Sequence, residues 1–218
     1  MLQKLFHLLF PPKCIFCRKI LDKDETDICR SCRKDLPECK KSNLRFSFVA
    51  GWTSLWYYKD NVRASIRRFK FSGRRHYAGP YGQALAMKLQ KEAFCDFDIL
   101  TYVPTALLRR LHRGYDQVEL LCNEVGKELG VTPVKALRKV RNTPPQSGIK
   151  DVSRRRANVL GAYEAECAEA LAGKRILLLD DVITTGATVS ECARVLLTAG
   201  AKEVLCASVA VTQHNKKM

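Results

Sequence analysis

The stretch that most constrains this chain runs Leu177-Leu178-Leu179-Asp180-Asp181-Val182-Ile183-Thr184-Thr185-Gly186-Ala187-Thr188. Arg175 to Leu179 form an apolar, strand-forming run, and beyond the polar turn Val189, Cys192, Ala193 and Leu196 recur on one helical face. The spacing predicts a strand, a tight loop and a helix in direct succession. Such a loop turns several backbone N–H groups outward at a helix N-terminus, where the dipole favours an anion such as phosphate. Two adjacent carboxylates, Asp180 and Asp181, close the strand at its carboxyl end, where open parallel sheets bind ligands. Their oxygens are acceptors suited to sugar hydroxyls, so the combination fits a ribose 5-phosphate. The competing reading gives these residues only local roles, with Asp181 capping the helix and the threonines making an ordinary turn. A single Asp would satisfy that reading; the whole run in its strand-to-helix context favours the phosphate site.

A second constraint is the cysteine pattern Cys14-x2-Cys17 followed, after eleven residues, by Cys29-x2-Cys32. Each Cys-x2-Cys turn can place two thiolates on one side of a knuckle, and two knuckles complete a tetrahedral site suited to structural Zn²⁺. Two disulfides or reduced core cysteines are the alternative. Cys39 could replace Cys32 in the set, at a poorer spacing, and Cys95, Cys122, Cys167, Cys192 and Cys206 are expected to be small buried hydrophobes. A ribbon this short builds little core, so the metal should supply its folding energy.

The chain carries 38 Lys and Arg against 22 Asp and Glu, a net charge of +16. Four thiolates and one Zn²⁺ would change this by −4 and +2, leaving +14, a balance that favours polyanionic partners without choosing among them. Residues 1–12 read as a short amphipathic helix docking on its own protein, too short to span a bilayer and lacking a cleavage site. The expectation is a cytoplasmic protein without stable membrane insertion, in which clustered cysteines ligate metal.

At 218 residues there is room for one α/β domain and a small appendage, expected as residues 1–45 and 46–218. Residues 40–47 read as a basic linker. Phe48 to Tyr58 read as one strand or as two in an antiparallel hairpin, with Trp52, Trp56, Tyr57 and Tyr58 available either for base stacking or for the core. In the helix that follows, Val62, Ile66 and Phe69 form the packing stripe, while Arg63, Arg67, Lys70 and Arg74 recur on the neighbouring face with no interleaved acids. That row is either a solvated face or a surface for single-stranded DNA or phosphate. Asp98 to Pro104 read as a strand and Thr105 to Tyr115 as a loop at its carboxyl end, where Arg109 and Arg113 can make forked bonds to phosphate oxygens. Val134 to Leu137 read as a second core strand, and residues 138–156 as a long basic loop, either catalytic or an exposed linker, with Arg138, Arg141, Gln146 and Arg154 to Arg156 as the residues of interest.

The Asp-Asp-Val to Thr-Thr-Gly-Ala-Thr run resembles the phosphoribosyl-pyrophosphate (PRPP) signature of type I phosphoribosyltransferases. Leu-Phe-Pro-Pro-Lys-Cys with its ribbon, Phe-Lys-Phe-Ser-Gly-Arg-Arg, Val-Pro-Thr with His-Arg-Gly-Tyr-Asp-Gln, and Arg-Asn-Thr-Pro-Pro-Gln-Ser-Gly extend the likeness along nearly the full chain. Together they resemble the ComF family, the bacterial competence-associated phosphoribosyltransferase-like proteins. Arg113-Gly114-Tyr115-Asp116-Gln117 departs slightly from the usual Arg-Gly-Phe-Asn-Gln, and Val-Pro-Thr from Val-Pro-Val.

The resemblance implies a type I phosphoribosyltransferase fold, an α/β domain with a mainly parallel sheet preceded by a four-cysteine zinc ribbon. It implies PRPP binding with Mg²⁺, in which Asp180 and Asp181 hold the ribose hydroxyls and act as the catalytic pair. Val182, Thr184, Thr185, Gly186, Ala187 and Thr188 would hold the 5-phosphate, and Thr105, Arg109 and Arg113 the pyrophosphate. The loop within 138–156 would close over it. It also implies a part in natural transformation, with single-stranded DNA and DNA-uptake proteins as partners. Three readings follow: a PRPP-dependent transferase, a DNA-binding module on the same fold, and a protein adaptor docking through its aromatic segment.

Overall fold

The computed structural model of the protein describes residues 11–40, 44–143 and 151–213, and all that follows concerns these residues. The expected helix at 1–12 and Gln146 fall almost wholly or wholly outside them. From the N-terminus, a first Cys-x2-Cys turn leads to helix α1 (Arg30–Asp35), then strand β1 (Gly51–Tyr57), helix α2 (Asp60–Phe71), a 3-10 turn (Arg75–Tyr77) and helix α3 (Ala78–Lys91). Strand β2 (Ile99–Tyr102), helices α4 (Leu107–Arg113) and α5 (Gln117–Leu129) and strand β3 (Leu137–Lys139) follow. The chain closes with α6 (Val152–Val159), β4 (Tyr163–Ala165), α7 (Ala168–Leu171), β5 (Arg175–Ile183), α8 (Ala187–Thr198) and β6 (Glu203–Val211).

Strands β1, β6, β5 and β2 form one parallel sheet in that order, while β3 and β4 pair antiparallel as a separate ribbon. The two central strands, β5 and β6, are buried along nearly their whole length, as continuous apolar runs in a sheet covered on both faces must be. Alternation divides β5 between two cores. Leu177 and Leu179 face α2, α3 and α5, whereas Ile176 and Leu178 face α8, whose Val189, Cys192, Ala193 and Leu196 form the stripe expected from sequence. The first core also takes in Ile15 and Phe16 of the ribbon, with the Phe16 ring edge-on to Trp56 at 5.2 Å.

Several expectations are corrected. Phe48 to Tyr58 give one strand, not a hairpin, because β1 pairs parallel with β6. Its outer edge is closed by residues 37–39, through Tyr57 N–H to Pro37 O (2.8 Å) and Cys39 N–H to Leu55 O (2.9 Å). Trp56 is buried in the core, so the aromatic segment is a packing strand rather than an open stacking platform. Val134 makes a single bond to Leu100 O before the chain turns away to build the β3–β4 ribbon, so 134–137 is not a core strand. Thr105 to Tyr115 contain the helix α4, terminated by left-handed Gly114 at φ 75°. Cys95 and Cys167 are exposed, whereas Cys122, Cys192 and Cys206 are buried as expected. Among the described residues no helix is long and apolar enough to cross a membrane.

Helices α3 and α5 approach closely at Gly82, where an added Cβ would lie 2.4 Å from Glu124 Cβ. Gly82→Ala is expected to push the helices apart and destabilise the fold by about 1–3 kcal/mol. A urea unfolding curve should show the lowered midpoint with an unchanged slope.

Candidate functional site

The register of β2 against β5 sets Tyr102 beside Leu179, and Val103 N–H bonds Leu179 O at 2.9 Å. Val103 and Pro104 therefore come opposite Asp180 and Asp181, with Thr105 one residue beyond, at the carboxyl ends of adjacent strands. The chain leaves β2 toward α5 on one face of the sheet and leaves β5 into α8 on the other, so a switch point falls between these adjacent strands. A crevice opens at such a point. Here it is a cleft of about 220 Å³ containing Asp180, Asp181, Val182, Thr184, Gly186, Ala187 and Thr188, together with Thr105, Arg109 and Arg113. Of the residues expected to form the phosphate and ribose site, only Thr185 does not line it; its Oγ1 accepts from Ala187 N–H at 3.5 Å.

Gly186 adopts φ 77°, and a Cβ there would meet the Phe46 ring at 2.1 Å. Both facts require glycine. Phe46 belongs to the segment read as a linker, yet it is buried against Trp52 at 5.4 Å and seals the back of the phosphate-type loop. Gly186 stands at the N-cap of α8 and offers no side-chain cap, so the first turn of this 12-residue helix presents backbone donors toward the cleft.

The two carboxyl groups are held differently. Asp181 Oδ1 is 2.7 Å from Lys70 Nζ, and Asp181 Oδ2 accepts from Gln117 Nε2 at 2.9 Å. Gln117 Oε1 in turn accepts from Arg113 Nη1 at 2.7 Å. Asp180 has its Oδ1 bonded by the Asp181 N–H at 2.8 Å, and burial, reinforced by the neighbouring Asp181 charge, pushes its carboxyl up to about 8 against the pull of Lys70. Asp116 caps α5 and accepts from both the N–H of Thr105 (2.7 Å) and its hydroxyl (3.1 Å), which fixes the β2 loop to the helix that carries Gln117. Burial raises the Asp116 carboxyl despite these bonds.

Opposite this corner, the β3–β4 ribbon contributes Lys139 and Tyr163 to the cleft wall, with Lys139 Nζ 3.1 Å from the Tyr163 hydroxyl. Burial, aided by repulsion from Arg109, brings the Lys139 ammonium down to about 8. Arg109 itself donates to Thr143 O at 3.3 Å.

The expected row of four cations is only partly built. Arg63 and Arg67 are exposed on α2, but Lys70 turns into the cleft to meet Asp181, and Arg74 lies beyond the helix, after left-handed Gly73. Of the 138–156 residues, Arg138 pairs with Glu164, and Arg141 donates to Leu160 O at 2.7 Å; both brace the base of the loop outside the cleft. Arg154 to Arg156 lie on α6. Lys139 and Tyr163 escaped sequence reasoning as site residues, because nothing in their local pattern distinguishes them, and Gln117 stood in the Arg113 to Gln117 motif without being given a role. Lys70 did carry a signal: it follows buried Ile66 by one helical turn and so borders the packed stripe.

The sulfurs of Cys14, Cys17, Cys29 and Cys32 all lie within 4.8 Å of one another, with Cys17 and Cys29 at 3.6 Å. A tetrahedral Zn²⁺ with bonds of about 2.3 Å needs sulfur separations of about 3.8 Å, so the donor set and its spacing fit structural zinc. Cys29 Sγ also caps α1 by accepting the Cys32 N–H at 3.5 Å. Cys39 lies apart, buried with the α8 core.

Residues 119–218 match the phosphoribosyl transferase domain, and residues 5–44 match the double zinc ribbon domain. Fold and site thus define a phosphoribosyltransferase-type domain with an N-terminal zinc ribbon; β1 and β2, which precede the first match, complete its sheet. The chain is 24% identical over 215 residues to Competence protein F of Haemophilus influenzae, covering 88% of this chain and 93% of that protein. It is 27% identical over 220 residues to DNA utilization protein YhgH of Salmonella typhimurium, covering 90% and 96%. Against Competence protein ComFC of Bacillus subtilis it is 26% identical over 196 residues, covering 86% and 78%. Along most of its length the chain is thus similar to bacterial competence and DNA utilization proteins.

A carboxyl whose folded-state value lies above its unfolded one holds its proton more tightly in the folded chain. Stability from this source is therefore greatest in acid and falls as pH rises from about 4 toward 8. Asp180→Asn should match the wild type in thermal midpoint near pH 4 and exceed it increasingly up to pH 8, by about 2–4 °C for each kcal/mol relieved. Parallel melting curves for the two proteins across that range check this.

Proposed function

We propose that the protein binds PRPP in this cleft and serves in natural competence, with transfer of the ribosyl group as the chemistry the site is built for. The observation that carries the reading is the pair Asp180–Asp181 at the end of β5, one tight turn from the uncapped start of α8. Asp180 and Asp181 accept the ribose 2′- and 3′-hydroxyls. Lys70 and Gln117 each occupy one direction on Asp181 and leave further lone pairs on both oxygens, so they orient that carboxylate without filling it. Residues 184–188 seat the 5-phosphate, and Thr105, Arg109, Arg113 and Lys139 face the diphosphate. Mg²⁺ bound to the diphosphate supplies charge screening.

Catalysis on this reading is positioning and electrostatics. The sugar is fixed at both ends while positive charge develops at its C1, and the cations at the β2 loop and on the β3 strand stabilise the departing diphosphate. A lysine near its own titration point, like Lys139, gains charge when an anion arrives beside it.

A second reading is supported by the exposed Arg63 and Arg67 and the net charge of +16, which suit contact with the backbone of single-stranded DNA. It adds to the first, since neither side chain lines the cleft that holds Lys70. The names of the relatives, competence and DNA utilization proteins, agree with a role at DNA uptake.

Calorimetry with PRPP and Mg²⁺ tests the proposal. Wild type should bind, and Asp180→Ala/Asp181→Ala should lose at least about 100-fold in affinity, as expected when the hydrogen bonds to both carboxyl groups are lost. An absence of wild-type binding, or binding untouched in the double variant, would overturn it. A single-stranded oligonucleotide titrated at several salt concentrations should show a steep salt dependence that Arg63→Ala/Arg67→Ala makes shallower, leaving PRPP affinity unchanged.

A further inference from the structure

The first zinc knuckle and the candidate ribose site are joined by one helix. Between Cys14 and Cys17, Ile15 and Phe16 are each only 1% exposed, so their carbonyls need partners inside the protein. Helix α2 supplies them. Ser65 Oγ donates to Ile15 O at 2.5 Å, and Arg68 Nη2 donates to Ile15 O at 2.8 Å and to Phe16 O at 2.6 Å. Ser65 is held from behind by the Tyr81 hydroxyl at 2.6 Å. Two residues after Arg68, about 200° further around the helix, Lys70 reaches Asp181 at 2.7 Å. One turn of α2 therefore grips the metal knuckle with one side and the ligand carboxylate with the other.

The turn has few other restraints at its end. Phe71 is 66% exposed, with the Arg113 guanidinium stacked on its ring at 4.8 Å, and the helix stops at Ser72 before left-handed Gly73. Between the two grips, Phe69 is fully buried and its carbonyl accepts from the Tyr115 hydroxyl. A helix end of this kind frays unless its side chains are tied down. If Arg68 releases the knuckle, Lys70 loses its fixed approach, and Asp181, itself only 4% exposed, loses its compensating cation.

We propose that Arg68 is a positioning residue that transmits the closed state of the zinc knuckle to Lys70, so that the ribbon sets the alignment of Asp181 across the cleft. Residues 11–32 then act as part of the site's scaffold, and loss of the metal weakens a cleft that contains none of its ligands. The alignment itself is a property of the folded chain; its effect on PRPP affinity rests on the reading given above.

The test measures Lys70 directly. Zinc-loaded full-length protein is treated with a trace of acetic anhydride, and the acetylation rate of Lys70 is read by mass spectrometry against exposed Lys91. Arg68→Met keeps the aliphatic stem and removes the donors; Arg68→Lys keeps a cation with three donors. Zinc content and thermal midpoint are recorded for each protein. Lys70 should be protected in the wild type, should react about tenfold faster in Arg68→Met, and should be largely protected again in Arg68→Lys. Stripping zinc from the wild type with a chelator should unmask Lys70 to a similar degree while Lys91 stays unchanged. Lys70 rates that do not move on stripping, or that do not differ between wild type and a zinc-retaining Arg68→Met, would overturn the coupling. PRPP affinity measured on the same proteins should fall with Lys70 protection. Wild type that fails to bind PRPP, with the protection pattern intact, would overturn the ligand reading and leave the coupling standing.

Discussion

Two carboxyl groups side by side, 8% and 4% exposed, are the constraint on which the rest of this structure turns. Buried charges of like sign are unfavourable unless each is paired, bonded or neutralised, and Asp180 and Asp181 take different routes. Asp181 draws Lys70 from α2 and Gln117 from α5, while Asp180 takes a backbone N–H and holds its proton into the neutral range. The helices that answer this demand come from distant parts of the chain. Their side chains meet at one corner because the parallel sheet brings the ends of β2 and β5 together there.

The phosphate-type loop is supported in a comparable way from behind. Gly186 has to be left-handed and free of a side chain, and Phe46 fills the space that results. The connection between ribbon and sheet is thus partly a structural wedge. Residues 37–39 add to this by covering the free edge of β1, which would otherwise offer unpaired backbone groups to another strand. The ribbon side of the molecule is joined to the sheet by shared core, carbonyl contacts and edge pairing together, with Ile15 and Phe16 in the same cluster as Trp56 and Tyr81.

Much of this was legible in advance where a signal is local. The β5-loop-α8 unit, the stripe of Val62, Ile66 and Phe69 and the four-cysteine set depend on periodicity or spacing within a few turns, and each was found as expected. The readings that failed or were left open involved choices between partners. Whether β1 pairs with a near neighbour or with β6 depends on which edge is open after the chain has folded. Whether Val134 to Leu137 joins the main sheet depends on β4, which lies more than twenty residues further on. The leucine-rich stretch of α4 reads as a charged loop because its apolar side chains remain exposed rather than forming a buried stripe.

By itself the sequence determined the chemistry: two acids and a Thr/Gly turn at a strand's end, four thiolates in two knuckles, and a large cationic excess. These follow from residue types at fixed short spacings, which the backbone converts directly into geometry. The tertiary structure decided how those groups are used. It took Lys70 out of an apparent surface row and gave it to Asp181, brought Lys139 and Tyr163 into the cleft, and set Arg68 on the zinc knuckle. The physical reason is that a side chain's partner lies wherever packing of the sheet and helices places an unsatisfied charge or carbonyl, and the pairings of Arg68 with Phe16 and of Lys70 with Asp181 span 52 and 111 residues, beyond the reach of any local pattern.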